Sequence, residues 1–269
     1  MVASTLDRFG INRLGLKLQE RFFGSFIRAV NYHVVRPEDA DSLEAHLRYY
    51  EERFVSVDLE SLEKFLVAGE WPHSRPGLII SFDDGDRTHY EVAAPLLEKY
   101  GFTGWFFVPI GLMNLNEGRG RPVTALTLDQ LKYLNDRHVV GSHSETHCRL
   151  GSDNSFERLE SEICGSRRHL EQLLGTPVEI FCWVGGEETS YSSEAAKLIS
   201  ENYKYSFMTN NAVIRPGDDP LQLQRTNIEA ENPLELVRFQ LSGLMDVYYT
   251  GKRRRVNRLT ARGRSRQAA

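Results

Sequence analysis

The feature that most constrains this chain is the nearly unbroken apolar run Gly77-Leu78-Ile79-Ile80-Ser81-Phe82. A strand without an alternating polar face has no side to offer water, so it belongs in a parallel sheet covered on both faces. Similar runs are predicted as strands at 26–35, 54–57, 102–108, 138–142, 178–183 and 205–208. Amphipathic helices fall between them. Leu43, Leu47 and Tyr50 recur at helical spacing, and Asp58 caps a helix with Leu62, Phe65 and Leu66 on one face. Further helices are expected at 88–100, ending at Gly101, after the capping-box pair Thr127 and Gln130, at 155–174, ending at Gly175, and at 193–202. A last helix follows Pro233, with Leu236, Val237, Leu241, Leu244, Met245 and Tyr248 on its apolar side. Roughly seven strand–helix units imply a parallel barrel or a doubly wound sheet, with function at the carboxyl ends of the strands.

At 269 residues the chain suits one large α/β domain, placed at residues 1–251. Three cysteines (Cys148, Cys164, Cys182), never spaced as CxxC, read as reduced thiols. No stretch approaches the length of a membrane span, and the charges from Asp7 to Arg21 leave no secretory signal, so a cytoplasmic location is expected. Residues 252–269 hold eight basic residues and no acidic one; taken from the net charge of −4, they leave residues 1–251 at −12. That acidic body argues against nucleic acid as a partner. The tail is expected either as a disordered, solvated terminus or as a peripheral tether to an anionic membrane.

Two constellations sit at strand ends. Asp83 and Asp84, directly after the Gly77–Phe82 run, are adjacent carboxylates that cannot both be buried without a counter-charge. His143 and His147, directly after the 138–142 strand, stand at i, i+4, a spacing that on a helical turn places two imidazoles on one face. A carboxylate from one strand end and two histidines from another would supply the three protein ligands of an open catalytic metal site.

Ser81-Phe82-Asp83-Asp84-Gly85 and His143-Ser144-Glu145-Thr146-His147 resemble the first two motifs of the NodB-homology polysaccharide deacetylases, carbohydrate esterase family 4. The order around them, including Pro95 to Gly101, fits as well. The resemblance spans most of residues 30–250 and implies a distorted (β/α) barrel of about seven strands. It implies Asp83 as general base, and Asp84, His143 and His147 as ligands of a divalent metal, zinc first, with cobalt or nickel as alternatives. The implied substrate is a carbohydrate carrying an N-acyl group.

Later motifs depart from the family pattern. The third has no proline here: the matching strand end is Phe181-Cys182-Trp183-Val184, where Trp183 either walls an acetyl pocket or closes the barrel core. The fifth normally supplies a histidine acid, but Leu221-Gln222-Leu223-Gln224 ends in glutamine and no histidine follows His169. One branch, the poly-N-acetylglucosamine deacetylases, resembles a circular permutation in which an N-terminal Tyr-His replaces that motif. Tyr32-His33 matches it, which implies His33 as the acid. Arg225 resembles an arginine that orients the base in such enzymes; a surface arginine is the competing reading. His89 is expected at a rim or on the surface, and Glu187 and Glu188 in a solvated loop. The implied reaction is removal of N-acetyl from an amino sugar. Its rivals are deformylation or cyclic-amide hydrolysis on the same fold, and a catalytically silent glycan-binding protein.

Overall fold

The computed structural model describes residues 2–113 and 124–261. Nine strands form one sheet among the described residues: β1 (Ile27–Tyr32), β2 (Val55–Ser56), β3 (Gly77–Phe82), β4 (Gly104–Val108), β5 (Val139–Ser142), β6 (Ile180–Cys182), β7 (Tyr205–Met208), β8 (Leu223–Gln224) and β9 (Thr226–Asn227). The order is β8-β7-β6-β5-β4-β3-β1-β9, every pairing is parallel, and β2 adds to β3 beside this path. β8 and β9 are two halves of one segment interrupted at Arg225. One half pairs with β7 and the other with β1, so the two ends of the path meet and the sheet closes. The result is the expected distorted (β/α) barrel, in which the split segment acts as one of about seven staves.

The period-2 alternation of strands sorts the core into two layers. Val30, Tyr32, Ile80, Phe82, Phe106, Val108, Phe181 and Met208 join the surrounding helices in one buried cluster. Ile27, Ala29, Ile79, Trp105, Phe107, Ile180, Cys182, Phe207 and Leu223 form the second cluster, which fills the barrel. Trp105 and Phe107 both pack on Phe207 inside it, at ring separations of 5.7 Å. Gly141 makes room there, since a Cβ at that position would stand 2.8 Å from the Phe107 ring.

Several elements differ from expectation. Helices Val2–Arg8 and Ile11–Phe23 precede β1 and were not foreseen. The helix after Pro233 stops at Leu241, and Gly243, at φ 85°, starts a short separate helix, Leu244–Tyr248. This break turns Leu244 and Tyr248 out to solvent instead of into the core. The described part of the tail is not disordered, since Thr250–Leu259 is a helix. Its Val256 is buried against the body, Arg253 donates to the carbonyls of Asn210 and Asn211, and Arg255 pairs with Glu188 at 2.6 Å. Arg262, Arg264 and Arg266 lie outside the described residues. No described helix is long and apolar enough to cross a membrane.

Candidate active site

Continuing the inward-facing register past each strand's carboxyl end assembles the site. Two residues beyond Asn31, Ser81 and Gly141 stand His33, Asp83 and His143, while Arg225 lies two beyond Leu223. All but Arg225 line one cavity of about 360 Å³, together with Asp84, His147 and Trp183.

Asp83 is 3% exposed and Arg225 is fully buried. The guanidinium grips the carboxylate with two bonds, Nη1 to Oδ1 at 2.6 Å and Nη2 to Oδ2 at 2.7 Å, and Nη1 also donates to Ser81 Oγ at 2.9 Å. Burial pushes the Asp83 carboxyl up, but Arg225, helped by His143, overcomes this and holds it below the usual carboxylate range. The fork also fixes the rotation of the carboxylate plane. The surface-arginine reading of Arg225 is excluded.

Asp84 and Gly85 are both left-handed, at φ 75° and 63°, a turn that aspartate tolerates and glycine favours. Asp84 Oδ1 lies 3.0 Å from His147 Nε2 and 3.6 Å from His143 Nε2. The oxygen is buried yet accepts no aligned hydrogen bond. Burial raises the Asp84 carboxyl, but His147 and His143 more than reverse this and leave it strongly acidic.

The histidine pair does not ride on a helical turn. His143 to His147 is a loop, with Ser144 and His147 in left-handed backbone at φ 66° and 60°. The buried Glu162 carboxylate accepts from the Thr146 amide at 2.8 Å and the Thr146 hydroxyl at 2.6 Å, and Ser144 Oγ accepts from the Cys148 amide. These bonds bend the loop so that the imidazole centroids lie 5.0 Å apart. His143 Nδ1–H donates to the Cys182 carbonyl at 2.9 Å, which assigns Nε2 as the lone-pair nitrogen facing the cavity.

Asp84, His143 and His147 therefore offer one carboxylate oxygen and two imidazole nitrogens within 4.8 Å of one another. The orphaned Asp84 oxygen, the strained backbone at two of the three residues and the carbonyl behind His143 all suit a divalent metal. Asp83, His143 and Cys182 form a second close group. It suits a metal poorly, because Arg225 occupies both Asp83 oxygens and burial drives the Cys182 thiol well above its usual range.

His33 stands just past β1, with Nδ1 2.9 Å from Glu229 Oε1. That hydrogen bond, opposed by partial burial, pushes the imidazole up to about 9. Glu229 went unnoticed in the sequence, since one acidic residue in Ile228-Glu229-Ala230-Glu231 carries no pattern. His89 is neither at a rim nor on the surface. It is fully buried, and its Nε2–H donates to the His33 carbonyl at 2.6 Å, fixing the backbone that carries His33. Trp183 is 1% exposed, packs on Phe181 and Tyr191, and donates from Nε1 to Ser206 Oγ at 3.3 Å. It is thus both a core aromatic and part of the cavity wall.

A family model for polysaccharide deacetylase matches residues 72–204, a span that holds Asp83, Asp84, His143, His147 and Trp183 but not His33 or Arg225. Among solved structures, the chain is similar to the Streptococcus pyogenes deacetylase PplD in complex with acetate, at 22% identity and a TM-score of 0.68, over 80% of this chain and 98% of that one. It is similar to IcaB from Ammonifex degensii at 21% identity and a TM-score of 0.65, over 81% and 98% of the two chains. A de-N-acetylase from Aggregatibacter actinomycetemcomitans shares 17% identity with a TM-score of 0.65, over 80% and 99%. These likenesses establish the fold. No curated protein sequence matches the chain.

Proposed function

We propose, from the polysaccharide deacetylase family model that matches residues 72–204, that this chain is a member of that family and a metal-dependent hydrolase that removes the N-acetyl group from an amino sugar or its oligo- or polysaccharide. The observation that carries this reading is the pairing of Arg225 with Asp83 beside the Asp84–His143–His147 cluster, with both aspartates on one cavity.

Asp84, His143 and His147 would hold the metal, and a donor set of two nitrogens and one oxygen is the kind zinc takes with a position left open. When bound, a divalent cation supplies Lewis-acid chemistry, lowering the pKa of water from about 15.7 toward ~7 and polarising a carbonyl oxygen. Asp83, ionised and oriented by Arg225, accepts the proton of the attacking water at a carboxylate oxygen. His33, kept protonated by Glu229, donates to the leaving nitrogen, which departs as an amine instead of an amide anion. Asn31, Asn211, Asn227, Gln240 and Thr209 line the same cavity and offer the neutral donors and acceptors that sugar hydroxyls require.

The rival reading, a silent glycan-binding protein, rests on the altered third and fifth motifs. Arg225 and His33 weigh against it, since they bring a cation beside Asp83 and an imidazole to the same site from elsewhere in the chain. The test is acetate release from chito-oligosaccharides by metal-loaded protein, with metal content measured in parallel. Release that disappears on chelation and returns with zinc supports the proposal. A protein that binds metal and glycan yet releases no acetate overturns it.

A further inference from the structure

The helix Ile11–Phe23 packs onto the body in an inverted sense. Its inward seam is largely polar: Asn12 donates to the Glu235 carbonyl, Gln19 donates to the Leu241 carbonyl at 2.9 Å, and Gly15 lies directly against Ser242. Leu16 is its one buried apolar residue, and the others face out. Ile11, Leu14, Leu18 and Phe22 fall within about 80° of the circumference, and they are 39%, 56%, 42% and 76% exposed. Arg13, Lys17 and Arg21, all exposed, fill the neighbouring sector and make no ion pair among the described residues. The helix Leu244–Tyr248 starts from Gly243, which contacts Gln19 on the inward seam of the first helix. Its Leu244, Val247 and Tyr248 share one outward face at i, i+3, i+4 and are 45%, 75% and 77% exposed, while Met245 and Tyr249 line the catalytic cavity.

We propose that these two helices form a docking surface for an anionic lipid bilayer, seated in the interface with the apolar stripe among the acyl chains. A stripe of Leu and Phe bordered by Lys and Arg is the arrangement that lies in the plane of a membrane surface. The charge is complementary to acidic head groups, although the chain as a whole is acidic. A second copy of this chain is a poorer occupant, since a two-fold contact through this face would set the Arg13–Lys17–Arg21 row near its own duplicate. Docking holds the mouth of the cavity next to the head groups, where a membrane-attached glycan would be presented.

The experiment uses the full chain and sedimentation with vesicles of phosphatidylcholine alone or mixed with phosphatidylglycerol. Wild-type protein is expected to pellet with the mixed vesicles and far less with phosphatidylcholine. Arg13→Ala, Lys17→Ala and Arg21→Ala together are expected to weaken binding by about a hundredfold, at roughly fivefold per cation. Leu18→Glu with Phe22→Glu is expected to abolish it, with thermal midpoint and hydrolysis of a soluble substrate unchanged because both side chains already face solvent. Deleting residues 262–269 is expected to leave most binding intact. Equal binding by wild type and both helix variants overturns the proposal, as does complete loss of binding on that deletion. A wild-type dimer that Leu18→Glu with Phe22→Glu converts to monomer, with no vesicle binding by either protein, assigns the face to self-association and overturns it too.

Discussion

Glu229→Gln removes a charge while keeping a hydrogen-bond acceptor for His33 Nδ1, so it isolates what the charge does. The imidazole is raised from 6.5 to about 9, chiefly by this one bond. His33 and Glu229 side chains are 36% and 37% exposed, however, so solvent screens the pair and the full shift overstates the effect. A drop of about one to one and a half units is the realistic expectation, with a cost to folding near ~1 kcal/mol, as for an exposed pair. The sign follows from the role. His33 acts as an acid only when protonated, so activity falls as pH rises through its pKa. The stabilisation follows the same course: a folded-state value raised above 6.5 gives stability present in full below 6.5 and lost as pH climbs through about 9. The assay is kcat/KM against pH for metal-loaded enzyme on an N-acetylated oligosaccharide, with an activated acetate ester in parallel. Wild type should lose activity near pH 9, and Glu229→Gln should lose it a unit or more lower. The ester, whose leaving group needs no proton, should show no such displacement. An alkaline limb at the same pH in both proteins refutes the assignment of Glu229 as the residue that keeps His33 charged. Equal displacement on amide and ester refutes His33 as proton donor to the leaving group.

Asp84→Ala, His143→Ala and His147→Ala should each abolish stoichiometric metal in elemental analysis of the purified protein, because each removes one of three ligands. Asp83→Asn should keep the metal and lower turnover by about 10²–10⁴-fold, the range for loss of a general base, as read in a saturating-substrate assay. Arg225→Met should lower stability by ~3–5 kcal/mol in denaturant titration, since it leaves the Asp83 charge buried and unpaired. Adding Asp83→Leu should restore much of that loss, because no buried charge then remains.

What was legible in the sequence is what buries apolar residues in runs. β3, β4 and β7 are continuous hydrophobic segments, and the helices 193–202 and 128–137 announce themselves by caps and spacing. The segment that closes the barrel was not legible. Leu223-Gln224-Arg225-Thr226-Asn227 is mostly polar, and its strands are two residues long on either side of a buried arginine. Its inward side gives only Leu223 to the barrel core before Arg225 turns to Asp83 and Ser81, so the hydrophobic signal of a strand is weak where a strand is needed. The Ile11–Phe23 helix fails the same test in reverse, hiding Asn12 and Gln19 and showing Leu14 and Phe22. Likewise the tail's charge density concealed Val256, the one buried residue of a helix in which five of the ten residues are basic.

The candidate site divides along a similar line. Asp83, Asp84, His143 and His147 were visible because their chemistry is adjacent in sequence: two carboxylates at one strand end, two imidazoles at another. Glu229, Glu162 and His89 were invisible because each acts on a residue distant in sequence, and no local pattern marks a residue that positions another across 196, 16 or 56 positions. The spacing of His143 and His147 suggested a helical turn, yet the loop reaches a similar approach through two left-handed residues tied to Glu162. Left-handed backbone at Ser144 and His147 costs energy that a helix would not, and such strain is retained where the surrounding structure over-determines it. The helical alternative would continue the i, i+4 hydrogen bonds through Thr146 and free its amide from Glu162. The buried Glu162 carboxylate, with Arg158 at 2.8 Å and the Thr146 amide and hydroxyl as donors, would then lose two of these partners. Losing hydrogen bonds to a buried carboxylate costs more than one or two strained dihedrals, which is why the loop prevails over the helix that the spacing suggests.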